Sequence, residues 1–307
     1  MKKIFIFKYL INFKSLEILR QKAQNDRSKF KLSEAKHRIY LLKSLVHYGI
    51  IFICFILFLS GVSSFASTYV SLSPVPTEII YALGAEDNLL GVSTTCNYPE
   101  QTKEKPIIGD TYYVNMEIMA RLKPDYLFSM SSAKPMLGQL ALMNTKPVYF
   151  EFTKIEEIYE AINKIAKLTG KEENAPKLIS NIKNKVAQYK TNEPKKILYI
   201  VQTNPLITIG NKSFITDIIK KAGHTSVTSD IEHYYPNITL EYALKSNPDV
   251  IIVCFPDDMS KIKKIFPNTP ILYLTQQEQD IINRSGPRVY EAVKLFSDLN
   301  FSDKPIH

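Results

Sequence analysis

Tyr234-Tyr235-Pro236-Asn237-Ile238-Thr239-Leu240-Glu241, followed by Pro248-Asp249 and the apolar run Val250-Ile251-Ile252-Val253, decides the fold because the chain spells the same phrase once before. The earlier copy is Tyr112-Tyr113-Val114-Asn115-Met116-Glu117, then Pro124-Asp125 and Tyr126-Leu127-Phe128. Glu117 and Glu241 stand 124 residues apart, and each precedes its proline by seven residues. That is the length of a short helix, which proline then stops before a buried strand begins. The chain therefore reads as two similar lobes. Each copy also places two tyrosines just ahead of its helix, in the kind of loop where α/β folds hold ligands. Two such pairs suggest a cleft that grips a flat or bulky molecule.

Outward from this phrase, short β-type runs alternate with helical stretches, the pattern of parallel sheets with crossover helices. Tyr69-Val70-Ser71-Leu72, Leu89 to Ser93, Tyr126 to Ser129 and Val148-Tyr149-Phe150 predict one sheet. Lys196 to Val201, Val250 to Val253 and Ile271 to Leu274 predict the other. Between them, Ile155, Ile158, Ile162, Ile165 and Ala166 recur at helical spacing, and Leu178, Ile182, Val186 and Tyr189 do so again after Gly170 and Pro176. The expected fold class is α/β: two similar lobes, each with a mostly parallel sheet flanked by helices, joined by one long backbone helix. The expected boundaries are an N-terminal extension with a signal or anchor segment at 1–66, an N-terminal lobe at 67–170, a linking helix at 171–193 and a C-terminal lobe at 194–307. A helical connection is stiff, so only small lobe motions are expected.

The net charge of +9 invites a nucleic-acid or membrane partner, but it is all at one end. Residues 1–66 hold 12 Lys+Arg against 3 Asp+Glu, leaving 27 of each in the rest of the chain. A nucleic-acid partner loses its support. The run from Gly49 to Leu59 is apolar, preceded by Lys43 and followed by Ser64-Phe65-Ala66, the layout of a secretory signal cleaved after Ala66. Left uncleaved, residues 49–59 would be a membrane anchor, although the run is short of the roughly 20 residues a span needs. Residues 1–42 are polar, basic and without a core pattern, and read as a prefix upstream of the true start. Ile53 stands before Cys54 where a lipoprotein signal wants a small residue. Cys96 and Cys254 fall in different lobes and read as free buried thiols.

Ser71-Leu72-Ser73-Pro74-Val75-Pro76-Thr77-Glu78 through Leu83-Gly84 and Gly91-Val92-Ser93 resembles the opening of the periplasmic binding proteins with a helical backbone, which deliver cobalamin, ferric siderophores or haem to ATP-binding-cassette importers. Asn97-Tyr98-Pro99, Gly109 with Met116-Glu117, Lys123-Pro124-Asp125, Asn247-Pro248-Asp249 and Arg284-Ser285-Gly286-Pro287-Arg288 extend the resemblance over roughly 68–300. Within that family the chain is most similar to the cobalamin-binding members. The resemblance implies an exported, periplasmic protein that captures a corrinoid in the inter-lobe cleft, with haem or a ferric siderophore as the alternative ligand, and that meets an importer permease in the inner membrane. The cobalamin would be cargo, and no cofactor is expected. The chain departs from the family in having no Trp, so tyrosines replace the broadest stacking surfaces.

Tyr112, Tyr113, Tyr234 and Tyr235 are the candidate ligand contacts, since a tyrosine ring covers a corrin or porphyrin face while its hydroxyl reaches the polar rim. Tyr98, after the second strand, joins them by resemblance. Asp280 and Arg284 read either as a surface pair at spacing four or as ligand contacts, since the resemblance places their loop at the cleft mouth. Glu117 and Glu241 sit in the first turn of their helices, where the dipole favours an acid, with Asn115 and Thr239 as caps. The resemblance implies a second role for these two acids: one on each lobe, facing the permease. Of the histidines only His224, His233 and His307 follow the signal, too few beside carboxylates for a bare metal site. Neither GxSxG nor HExxH occurs, and no cysteine lies near a histidine, so no enzyme is expected.

Overall fold

The computed structural model of the chain describes residues 2–59, 67–110, 112–255 and 258–299. Residues 1–65 and 66–307 form two compact units. In the first, a single helix α1 (Lys2–Leu59) takes in the apolar run at 49–59. Among the described residues no helix is long and apolar enough to cross a membrane. The expected cleavage after Ala66, the Cys54 side chain and His307 lie outside what the structure describes.

The second unit holds both sheets. Strands β1 (Tyr69–Ser71), β2 (Leu89–Ser93), β3 (Ile107–Gly109), β4 (Tyr126–Met130) and β5 (Lys146–Phe150) are all parallel, in the order β3-β2-β1-β4-β5. Helices α2 (Pro74–Ala82) and α3 (Met116–Leu122) flank them. Strands β6 (Lys196–Gln202), β7 (Ile207–Thr208), β8 (Thr225–Ser226), β9 (Val250–Val253) and β10 (Ile271–Tyr273) make the other sheet, ordered β10-β9-β6-β7 with β8 beside the start of β6. Only the β6–β7 pair is antiparallel. Helices α6 (Phe214–Lys221), α7 (Leu240–Ser246), α8 (Ser260–Ile265), α9 (Gln276–Ile282) and α10 (Val289–Asp298) cover it.

Each sheet is buried on both faces, which is why its strands read as continuous apolar runs. Successive residues serve different cores: Tyr69 and Ile197 face inward, while Val70 packs towards α3 and Leu198 towards α7 and α8. The inner core is continuous across both lobes.

The connection between the two sheets is helical. It is two helices, α4 (Ile155–Thr169) and α5 (Ala175–Gln188), separated where Gly170 turns left-handed at φ +69°. Helix α4 lies in the range assigned to the first lobe and α5 in the 171–193 segment assigned to the link, and the latter also touches both lobes: Asn174 Nδ2 donates to the Leu83 carbonyl at 2.8 Å, and Lys185 lies over the Tyr290 ring. Ile155, Ile158, Ile162 and Ile165 share one core with Ile80 of the first lobe and Tyr199, Ile215 and Phe296 of the second. At its N-terminus, the backbone N–H of Ile155 donates to Asp217 Oδ2 of α6 at 2.8 Å.

The repeated phrase builds the same unit twice. Helices α3 and α7 are both seven residues long and end on left-handed residues, Lys123 and Asn247, each at φ +47°. Proline follows, then an aspartate that pins the start of its lobe's first strand. Asp125 Oδ2 accepts from the Thr68 N–H at 2.8 Å, and Asp249 Oδ2 from the Lys196 N–H at 2.7 Å. Asp125→Ala and Asp249→Ala should each lower the unfolding free energy by about 1 kcal/mol, as expected for a charged hydrogen bond that is partly solvated. Urea titration of the single and double variants checks this; the pins share no partner, so their effects should add.

Candidate ligand-binding cleft

In the first lobe the candidate residues follow the carboxyl ends of parallel strands, where open α/β sheets hold ligands. Tyr98 follows β2, and Tyr112 and Tyr113 follow β3. The Asp110 carboxylate accepts from both the Tyr112 and Tyr113 N–H groups at 2.7 Å, folding the loop into a compact turn. Val114 then pairs antiparallel with Gly109. In the second lobe, Tyr234 and Tyr235 lie on a loop paired with the chain that leaves β7. The Gly210 N–H donates to the Tyr234 carbonyl, and the Thr208 N–H to that of Pro236, both at 3.0 Å.

Both tyrosine loops thus rest on a glycine. A Cβ on Gly109 would overlap the Tyr113 carbonyl, and one on Gly210 would overlap that of His233. The rings stand outward: Tyr98, Tyr112, Tyr113, Tyr234 and Tyr235 are between 38% and 62% exposed. Among the described residues, no ring pair joins the two tyrosine loops. One crosses between lobes by another route: the Tyr234 hydroxyl donates to Glu151 Oε1, just past β5, at 2.6 Å, and that bond to a carboxylate raises the Tyr234 pKa. Burial raises that of Tyr235. The His233 ring takes the Tyr235 N–H on Nδ1, a structural use of the histidine beside the candidate contacts.

The other candidates gather around a residue that sequence reasoning passed over. Glu78 on α2 has a side chain only 2% exposed. Arg288 grips it with Nε and Nη2, both at 3.0 Å, and Arg284 Nη1 approaches at 3.5 Å. Arg284 also donates to Asn97 Oδ1 at 2.7 Å and to Asp280 at 3.5 Å. The Arg288 guanidinium lies 3.7 Å over the Tyr98 ring, leaving that tyrosine one free face. Asp280 and Arg284 approach each other at 3.5 Å within a larger network that joins both lobes. A signal was present: a glutamate inside the apolar helix Val75 to Ala82 requires a buried partner, and two arginines four residues apart could supply it.

Glu117 and Glu241 are both exposed. The Asn115 side chain caps α3, accepting from the Glu117 and Ile118 N–H groups, and Thr239 caps α7, accepting from Tyr242. Glu241 also pairs with Lys245 one turn on, at 2.8 Å. Cys96 and Cys254 are free and buried, and burial pushes both thiols up. His224 is buried, accepting the Lys195 N–H on Nδ1, and burial lowers its pKa. A cavity of about 640 Å³ borders the Glu78 network, lined by Glu78, Tyr81, Tyr98, Leu178, Arg288 and Tyr290; the two tyrosine loops do not line it.

The profile of the periplasmic binding protein family matches residues 70–273. A vitamin B12-binding protein of Photorhabdus laumondii is 27% identical over 240 residues, covering 75% of this chain and 87% of the relative. Among solved structures, a possible iron-binding periplasmic solute-binding protein from Staphylococcus epidermidis superposes with a TM-score of 0.66 at 26% identity, over 76% of this chain and 98% of that one. A periplasmic haem-binding protein of Vibrio cholerae shares the fold, with a TM-score of 0.64 at 20% identity over 77% of this chain and 100% of that one.

Gly109→Ala and Gly210→Ala should each cost about 1–3 kcal/mol of stability, the range for forcing an atom into filled space. They should also speed hydrogen exchange in residues 112–114 and 233–236 respectively. Gly138→Ala, where an added Cβ meets nothing within 4 Å, is the control and should leave both readouts near the wild type.

Proposed function

Because the chain belongs to the periplasmic binding protein family, we propose that it captures a corrinoid, cobalamin, between its lobes and hands it to the permease of an ABC importer. The observation that carries this reading is the matched pair of tyrosine loops, one per lobe, each seated on a glycine and presenting half-exposed rings. Such rings suit a broad flat face with a polar rim. The similarity to a vitamin B12-binding protein supports the choice of corrinoid.

Charge supports it too. A hard anionic siderophore needs several free cations, and both arginines beside the cleft are already engaged. Arg288 is committed to Glu78 through two hydrogen bonds, which leaves Arg284 as the arginine with donors to spare. Haem or a ferric siderophore is the second reading, favoured by the likeness to the Staphylococcus epidermidis protein. The protein works in the periplasm, exported by the segment ahead of Ala66 and anchored through 49–59 where that segment is kept. Glu117 and Glu241, one exposed acid per lobe, meet cations of a permease built from two like subunits.

Calorimetric titration of the purified chain with cyanocobalamin, then haem in the same buffer, tests the ligand. Saturable one-to-one cyanocobalamin binding is expected; heat from haem alone would move the assignment to iron uptake. Tyr112→Ala with Tyr235→Ala should weaken cyanocobalamin binding by about 1–3 kcal/mol, the scale of lost aromatic contacts at a binding site. Unchanged affinity would remove these loops from the site. Glu117→Ala with Glu241→Ala should abolish uptake by cells or permease vesicles while leaving the binding isotherm intact. Intact uptake would reduce both acids to helix-starting residues.

A further inference from the structure

We infer that Glu78 is the positioning residue of the cleft: it joins the lobes and holds Arg284 and Tyr98 in the places from which they reach a ligand. The inference rests on the cleft reading above. A carboxylate this deeply buried is costly unless fully paired, and both of its partners come from the other lobe, more than 200 residues along the chain. Glu78 itself stands on rigid ground. The preceding Thr77 hydroxyl bonds to Ser71 Oγ at 2.8 Å and to the Ser73 carbonyl at 2.9 Å, tying α2 to the end of β1.

The loop that carries the arginines is seated on the same carboxylate. A Cβ on Gly286 would already touch Glu78 Oε2, at 3.4 Å. Arg288 makes the fixed half of the contact, two hydrogen bonds of 3.0 Å with a planar fork, while stacking on Tyr98. Arg284 makes the loose half: 3.5 Å to Glu78 and 3.5 Å to Asp280, with its one short bond going to the neutral amide oxygen of Asn97. Glu78 therefore keeps two like-charged guanidiniums together beside the cleft, one locked and one with donors left for a ligand. Without that carboxylate the two guanidiniums lose the one anion they share and keep only the long pairs to Asp280 at 3.5 Å and Glu291 at 3.7 Å, so Arg288 shifts off Tyr98 and the 284–288 loop loses its seat.

A double-mutant cycle with cyanocobalamin as probe separates positioning from plain stability. Glu78→Gln should weaken binding about ten- to a hundredfold, within the range that contacting residues couple. In an Arg284→Ala background the same substitution should cost clearly less, because the side chain it positions is gone. An undiminished penalty, or none in either background, overturns the inference. Hydrogen exchange of the ligand-free variant should rise together at 96–98 and 284–288; a rise in neither, or in one alone, also overturns it. Where Glu78→Gln fails to fold, Arg288→Lys keeps the charge but loses the planar fork and the ring stack, and the same two readouts apply. A wild-type chain that binds neither cyanocobalamin nor haem sinks the proposed function, and the exchange pattern then decides the role of Glu78 alone.

Discussion

The apolar face of α4 is shared by both lobes, and this one packing constraint decides how the two sheets stand to each other. Ile155, Ile158, Ile162 and Ile165 are fully buried in a core drawing on β1 and α2 from one side and β6, α6 and α10 from the other. Burial of each is worth about 1.5–3 kcal/mol, so sliding the lobes along α4 would forfeit far more than any surface ion pair supplies. The Lys221–Glu156 pair and the Asp217 cap at the start of α4 orient the helix; the isoleucines hold it. The walls of the space between the lobes are therefore fixed by the same packing that holds α4.

Given those walls, the cleft residues are placed by backbone devices rather than by each other. The Asp110 turn, the antiparallel pairings at Gly109 and Gly210, and the His233 ring against the Tyr235 N–H each hold a loop without using a tyrosine ring. The rings stay available, which a surface meant to cover a ligand requires. Tyr98, Tyr234 and Tyr235 are the exceptions: one is stacked by Arg288 and one bonded to Glu151, both in contacts between lobes, and the third turns its hydroxyl inward towards Ser213. Those two contacts define the seam of the cleft.

The repeat was legible because it is local: seven helical residues, a left-handed cap, proline and an aspartate on the next strand lie within one window, and period and punctuation carry them. Seven strands could be read for the same reason. Strands β3, β7 and β8 could not, since two or three residues such as Ile107-Ile108-Gly109 or Ile207-Thr208 carry no period, and only pairing with a neighbouring strand makes them strands. The break at Gly170 was legible too, since the apolar spacing stops there and resumes after Pro176. Glu78 escaped for a different reason. Its partners are over 200 residues away, and a glutamate near a helix start has a sufficient local explanation in the dipole. The informative fact was that its neighbours on the helix are Val75, Ile79 and Ile80, which leave a charge nowhere to be solvated.

The two-lobe symmetry is weaker at the surface than in the core, and this bears on the proposed docking. Glu117 and Glu241 occupy matching turns of matching helices, but Glu241 is engaged by Lys245, whereas the residue four on from Glu117 is Arg121, with no such pair among the described residues. An exposed pair at this spacing contributes only about 0.3–0.5 kcal/mol, so exchanging Lys245 for a permease cation costs little. The acids differ in local company without differing much in free energy. A permease with two equivalent cationic patches could therefore accept the lobes in either order, unless the loops around them break the tie. Those loops are the tyrosine loops, which differ in sequence where one copy has Val114 and the other Pro236. Under the proposed function, orientation on the permease would then be read from the same loops proposed to hold the ligand, tying recognition of the loaded protein to the geometry of its cleft.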